Sequence, residues 1–158
     1  MRFSTNEDIE APVGFCFEQL SDFDALERIA MRRGAEVARL DPSETPAVGA
    51  TWDIRFVLRG RKRRLMTRLV EHDPPNLIRF EARSDTFEGG LRAELIALSR
   101  QRTRIGIVLD LKPRTIPARL LIQSARLTRN RLDRRYKKRV AAFLAEIEMR
   151  HQRACGAV

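Results

Sequence analysis

From Thr115 to about Arg150 the chain reads as one long helix, or as two helical pieces in line. Leu132, Tyr136, Val140, Phe143 and Ile147 recur at spacings of four, four, three and four. That spacing puts them on one side of a helix. Leu120, Leu121, Ala125 and Thr128 continue the stripe upstream. The other side is basic, with Arg126, Arg129, Arg134, Arg135, Lys137 and Lys138. A helix of this length with one apolar side needs a cover, and the only candidate is what precedes it.

What precedes it is a run of alternating segments. Trp52, Ile54, Phe56 and Leu58 fall on one face, with Asp53, Arg55 and Arg59 on the other. Leu65, Thr67 and Leu69 alternate with Arg64, Met66 and Arg68; Ile78, Phe80, Ala82 and Ser84 alternate with Arg79, Glu81 and Arg83. Phe87, Leu91, Ala93 and Leu95 follow, with Gly89-Gly90 marking an expected bulge, then Thr103, Ile105, Ile107, Leu109 and Leu111. Strands that are apolar on one face and charged on the other describe an antiparallel sheet with one wet side. Gly60 opens a turn that puts Arg61, Lys62, Arg63 and Arg64 at a solvated hairpin tip. Mixed Arg, Asp and Glu on the wet face predict cross-strand ion pairs.

Ahead of these strands, Arg2 to Glu10 is extended. Pro12 suits the first turn of a short helix carrying Val13, Phe17 and Leu20. Ser21-Asp22 breaks it and caps a second helix carrying Phe23, Leu26 and Ile29, which Gly34 ends. Ala35 to Leu40 is a further strand, and the loop from Pro42 to Gly49 has no periodicity. The predicted fold is α+β: a curved antiparallel sheet of about seven strands wrapped around a long C-terminal helix, with two short helices after the first strand. A single domain spans 1–150, and 151–158 forms a flexible C-terminal tail.

The charge is one-sided. The chain has 158 residues and a formal net charge of +10. Lys+Arg and Asp+Glu balance at 18 each from Met1 to Leu111, and the remaining 13 basic and 3 acidic residues lie from Lys112 onward. Such a surface attracts anionic lipid or phosphate. Tyr136, the one aromatic residue among the cations from Arg126 to Lys138, falls on the apolar side of the helix, so base stacking is unsupported and nucleic acid is not expected. The N-terminal residues lack the apolar core of a signal peptide, and no apolar run approaches the ~20 residues of a membrane span. A cytoplasmic location is expected.

This order of elements resembles the START-like, helix-grip superfamily, also called SRPBCC. Ile9-Glu10-Ala11-Pro12, then Val13 and Phe17, then Leu20-Ser21-Asp22 carry the local likeness, and the C-terminal helix with its in-line aromatics fits it. The resemblance covers the chain from about Phe3 to Arg150, and is closest to bacterial polyketide cyclase-like and lipid-transport-like members. It implies a cavity between sheet and long helix that takes a hydrophobic small molecule or lipid.

The inner face offers few groups for chemistry. Its predicted ligand-binding residues are Trp52, Ile54, Phe56, Thr67, Phe80 and Phe87, with Leu91 and Ile107; the helix adds Tyr136, Val140 and Phe143. None is a carboxylate, histidine or cysteine. Glu7 joins them only if the first strand turns that side inward. The polar atoms inside are those of Thr67, Ser84, Thr103, Tyr136 and the Trp52 indole. His72 at a loop entry and His151 have no ligand-spaced partner, so no metal is expected. Cys16 reads as a small core residue. No Walker A, G-x-G-x-x-G or G-x-S-x-G sequence occurs, and no cofactor is expected. The expected function is non-enzymatic binding or transport of a hydrophobic molecule, with no catalytic residue assigned. A polyketide cyclase or dehydratase stays open. So does a peripheral module docking on anionic membrane through Arg126, Arg129, Arg134, Arg135, Lys137 and Lys138, and a homodimer is allowed.

Overall fold

The computed structural model describes residues 1–40 and 46–156. Half of the loop expected from Pro42 to Gly49, residues 42–45, therefore lies outside the described residues, as do the last two residues of the predicted tail. The elements run β1 (Arg2–Ile9), α1 (Val13–Leu20), α2 (Phe23–Arg32), β2 (Glu36–Arg39), β3 (Thr51–Leu58), β4 (Arg61–Asp73), β5 (Leu77–Arg83), β6 (Phe87–Ser99), β7 (Arg102–Pro113), α3 (Ile116–Arg126) and α4 (Arg129–Gly156). The strands form one sheet in the order β1-β7-β6-β5-β4-β3-β2. Every neighbouring pair is antiparallel. The architecture is α+β, a curved sheet with a long C-terminal helix.

Local chemistry accounts for most boundaries. The Asp22 carboxylate accepts from the Ala25 N–H at 3.0 Å and starts α2. Gly34, at φ 92°, ends it, with the Ala35 N–H reaching back to the Ala30 carbonyl at 3.1 Å. Positive φ at Gly34 carries no steric cost because glycine lacks a Cβ. Arg59 and Gly60, at φ 52° and 77°, form the two-residue β3–β4 turn, the backbone hand that suits a tight hairpin.

That turn lies one residue earlier than the sequence suggested. β4 begins at Arg61, so Arg61, Lys62, Arg63 and Arg64 pair with Leu58 back to Arg55 instead of forming a hairpin tip. Two other departures change which side chains face inward. The register between β4 and β5 shifts between Leu69 and Glu71. This bulge resets the alternation, so His72 pairs with buried Ile78 and turns inward. Its Nε2 lies 3.1 Å from Ser21 Oγ, and its ring packs on Phe17 and Phe23. Gly89-Gly90, where a bulge was expected, pairs in continuous register; the β6 irregularity falls between Ala97 and Ser99.

The C-terminal segment is two helices, broken at Leu127-Thr128. α3 buries Ala118 and Ile122 and leaves Leu120 and Leu121 exposed. The stripe extrapolated back from α4 is therefore wrong in phase. The break resets the helical rotation, and no proline or glycine marks it. α4 does not stop at Arg150 but continues to Gly156. It packs over β1 and α1 and delivers Leu144 and Ile147 to a core shared with Leu69, Leu95 and Ile105. Cys16 sits in that core, where burial pushes its thiol up. Thr103, fully buried, donates to the Ala11 carbonyl at 2.7 Å and ties β7 to the β1–α1 turn.

Ion pairs lace the wet face. Arg64 bonds both oxygens of Asp53 at 3.0 and 2.9 Å, and Arg104 bonds both oxygens of Asp8 at 2.8 and 3.1 Å. The hydrogen bond from Arg64 holds the Asp53 carboxyl below its ordinary 3.8, and the one from Arg104 does the same for Asp8. A depressed carboxylate contributes stability above its unfolded value and loses it as pH falls through the folded value. Urea midpoints are therefore expected to hold steady above about pH 4 and to drop steadily below it. Asp53→Asn should lower the plateau and flatten that drop. An acid limb of unchanged steepness in the variant would show that another group controls it.

Candidate functional site

The antiparallel register sets one row of inward side chains across the sheet. Trp52 lies opposite Thr67, Thr67 opposite Ala82, Ala82 opposite Gly89, and Gly89 opposite Leu111. The middle three are small and the two ends are bulky. The next row, Leu69, Phe80, Leu91, Leu109 and Phe3, is bulky throughout. The dip in the first row leaves a cleft of about 360 Å³ against α2. That volume lies at the lower end of the ~300–1,000 Å³ of small-molecule sites.

The sheet supplies the floor through Ile54, Leu65, Thr67, Phe80, Ala82 and Leu91, and α2 supplies Phe23, Leu26 and Ala30. Phe87 stands at one end and Trp52 at the other. Phe23, Trp52 and Phe80 touch one another with ring centroids 5.6 to 6.0 Å apart, two of the three pairs edge-on. This geometry satisfies the ring quadrupoles and fixes the aromatic wall. Gly89 has a further role. A Cβ there would fall 2.0 Å from the Asp110 carbonyl oxygen, so only glycine fits.

The cleft holds few polar groups, and two matter. Glu27 on α2 accepts from the Trp52 indole N–H at 2.7 Å and from Arg39 Nε at 2.9 Å. Arg39 also pairs with Asp24 at 2.6 Å. This network orients Trp52 and clamps α2 to β2. Thr67 Oγ1, by contrast, is buried with no hydrogen-bond partner among the described residues. An unpaired buried hydroxyl costs ~1–3 kcal/mol, a cost that a ligand's polar atom at that point would remove.

Of the residues singled out from sequence, Trp52, Ile54, Thr67, Phe80, Phe87 and Leu91 meet around this cleft. Phe56, Ile107, Tyr136, Val140 and Phe143 do not line it. Tyr136 donates to the Ile107 carbonyl at 2.6 Å and packs on Phe3. Burial, with Asp133 nearby, pushes its phenol up to about 12. It is a tie between α4 and β7. Ser84 closes the β5–β6 turn by accepting from the Phe87 N–H at 3.0 Å. Glu7 falls on the inner side opposite Ile105 and is half-buried away from the cleft. Alternation put Ala82 on the inner face and helical spacing put Phe23 and Leu26 on the buried side of α2, but neither marked Glu27 or Gly89 as part of the cleft; the packing of α2 and the cross-strand register were needed.

The basic residues divide differently from the sequence reading. Arg126 belongs to α3. Arg129 donates to the Arg2 carbonyl at 3.0 Å and lies over the Phe3 ring. Lys137 pairs with Asp133 at 3.0 Å, while Arg134, Arg135 and Lys138 face solvent. A larger hollow, about 940 Å³, lies mostly on the wet face of the sheet. Arg68, Arg79, Glu81, Arg92 and Lys112 line it, and Arg79 there pairs with Glu71 and Glu81. Its charged lining does not suit an apolar molecule.

Solved structures share the fold. The aromatase/cyclase Zhui from Streptomyces sp. R1128 superposes with a TM-score of 0.66 at 14% identity, covering 97% of this chain and 94% of that one. The fold is START-like. A protein from Thermus thermophilus also gives 0.66, at 16% identity, over 98% and 99% of the two chains. A START superfamily protein from Mycobacterium smegmatis gives 0.56 at 14% identity, over 87% and 97%. No protein-family model and no curated protein matches the sequence. Likeness at these identities establishes the START-like architecture alone, because one fold hosts many activities.

Proposed function

We propose that this START-like protein binds a hydrophobic small molecule or lipid in the cleft between α2 and strands β3–β7, and does so without chemistry. The row of small residues at Thr67, Ala82 and Gly89 carries the reading. A sheet that only needed a core would carry larger residues at 67 and 82, and at 89 the Asp110 backbone admits glycine alone, so the row stays low across three strands. The unpaired Thr67 hydroxyl supports a ligand with an apolar body and a single polar group facing β4. One neighbour is named an aromatase/cyclase. A reaction of that kind needs an acid or base at the substrate. Glu27, the cleft carboxylate on α2, is already held by Trp52 and Arg39, which favours binding over catalysis.

Trp52 is the only tryptophan and lies in the cleft wall, so the site carries its own reporter. N-phenyl-1-naphthylamine, a neutral apolar probe, is expected to brighten on mixing and to quench Trp52 emission at saturation. Organic extraction of purified protein followed by mass spectrometry should release a bound apolar species. A protein that neither quenches with the probe nor releases any such species does not have this function.

A further inference from the structure

α3 presents two opposed faces. At about 3.6 residues per turn, Ile116, Leu120 and Leu127 fall within about 40° of one another, and the buried pair Ala118 and Ile122 lies on the far side of the helix. The outward residues are large and open to solvent: Ile116 is 73% exposed, Leu120 59%, Leu121 51% and Leu127 89%. Exposed apolar patches of this kind mark contact surfaces. The apolar face has no acidic neighbour in sequence. Between Asp110 and Asp133 the chain has six basic residues, Lys112, Arg114, Arg119, Arg126, Arg129 and Arg131, and no Asp or Glu. Arg119 and Arg126, seven residues apart and both exposed, flank the leucines on one side. An apolar face bordered by cations is the pattern of a helix lying in an anionic membrane interface.

α3 is also anchored and placed for that role. Thr115 caps it, accepting from the Ala118 N–H at 3.2 Å. Arg114, just before it, donates its N–H to the Thr86 carbonyl at 2.8 Å and its side chain to the Ser84 carbonyl. Those contacts join the start of α3 to the β5–β6 turn beside Phe87. On the other side, cleft-lining Leu111 is five residues from Ile116. The solvent side of α4 is basic too, but among the described residues its only exposed large apolar side chain is Met149, so it has little to insert.

We infer that α3 is an interfacial helix that docks the protein on anionic lipid bilayers, with Ile116, Leu120 and Leu127 entering the acyl boundary and Arg119 and Arg126 meeting the headgroups. A second copy of the chain is a poorer occupant, because a twofold interface through these leucines would bring Arg119 and Arg126 close to their own copies. The docking stands on the surface of α3 and does not depend on what the cleft holds.

Vesicle flotation tests it, using phosphatidylcholine vesicles with and without phosphatidylglycerol. The protein is expected to float with the anionic vesicles at about 0.01 M salt and to be released at about 1 M, where the Debye length shrinks from ~30 to ~3 Å. Arg119→Gln and Arg126→Gln should each weaken binding about fivefold. Leu120→Ser with Leu127→Ser should weaken it about tenfold or more, with circular dichroism and thermal midpoint unchanged. Arg134→Gln with Lys138→Gln, on α4, should change it less than twofold. Failure to float at low salt overturns the proposal, as does binding that survives the leucine pair or is lost with the α4 pair. A dimer in sedimentation equilibrium that Leu120→Ser dissociates would assign the face to a second copy instead. Uptake of N-phenyl-1-naphthylamine by every α3 variant keeps this result separate from the cleft.

Discussion

Gly89→Ala is expected to cost about 3 kcal/mol, the upper end of what an overpacked methyl costs in a tight interior. The added Cβ would meet the Asp110 carbonyl oxygen at 2.0 Å and its carbon at 3.1 Å. Both belong to backbone, so no rotamer relieves them. Either β6 or β7 must move, and with it the register from Gly89–Leu111 to Gly90–Asp110. In a chain of this size the cost should appear as a fall of about 6–12 °C in thermal midpoint. Two other glycines serve as controls. At Gly90 a Cβ would reach only the Phe80 carbonyl oxygen, at 3.1 Å, so Gly90→Ala should cost less than half as much. At Gly14 in α1 it would meet nothing within 4 Å, and alanine there should stabilise by about 0.5–1 kcal/mol because it orders the helix more cheaply. Equal midpoints for Gly89→Ala and the natural protein would mean that the strands yield freely at that point.

Ala82→Phe should abolish probe uptake while leaving the fold intact. Ala82 lies in the dip of the cross-sheet row, between Thr67 and Gly89. A ring built from it grows into the 360 Å³ cleft toward Phe23 and Phe80 rather than into packed core. Filling existing space costs little, within ~1.5 kcal/mol, so the thermal midpoint should move by less than about 6 °C. Affinity for N-phenyl-1-naphthylamine should fall at least tenfold, and Trp52 quenching should vanish with it. Undiminished uptake by this variant would place the probe somewhere other than the cleft.

The two variants act on the same row in opposite ways. One breaks a close backbone approach of β6 to β7 beneath the row, and the other fills the space above it. Together they separate the shape of the site from the stability of the sheet. The membrane variants on α3 change neither.

Much of this architecture was legible in the chain. Alternation placed Trp52, Ile54, Thr67 and Phe80 on the inner face because a strand has a period of two whatever its partners do. Asp22 and Gly34 marked the ends of α2 because capping is settled within a few residues. The long amphipathic stripe found α4 for the same reason. Where local phase was reset, the extrapolation failed. The bulge between Leu69 and Glu71 turned His72 inward. The break at Leu127-Thr128 rotated α3 until Leu120 and Leu121 faced solvent. Neither reset has a compositional signature, since the residues involved are ordinary strand and helix formers.

The sequence by itself determined which residues could face inward, where helices begin, and that the charge excess lies beyond Leu111. These follow from periods and caps that operate over a few neighbours. Only the tertiary structure decided where the inner face leaves space and what wall stands opposite it. The cleft exists because register brings Thr67, Ala82 and Gly89, each small and each from a different strand, into one row, and register is a relation between distant segments. α4, the longest helix, went to β1 and α1, and α2 was left to face the gap. Packing made that choice, because a helix goes where its buried stripe and its neighbours' faces fit together, and no single segment encodes the fit.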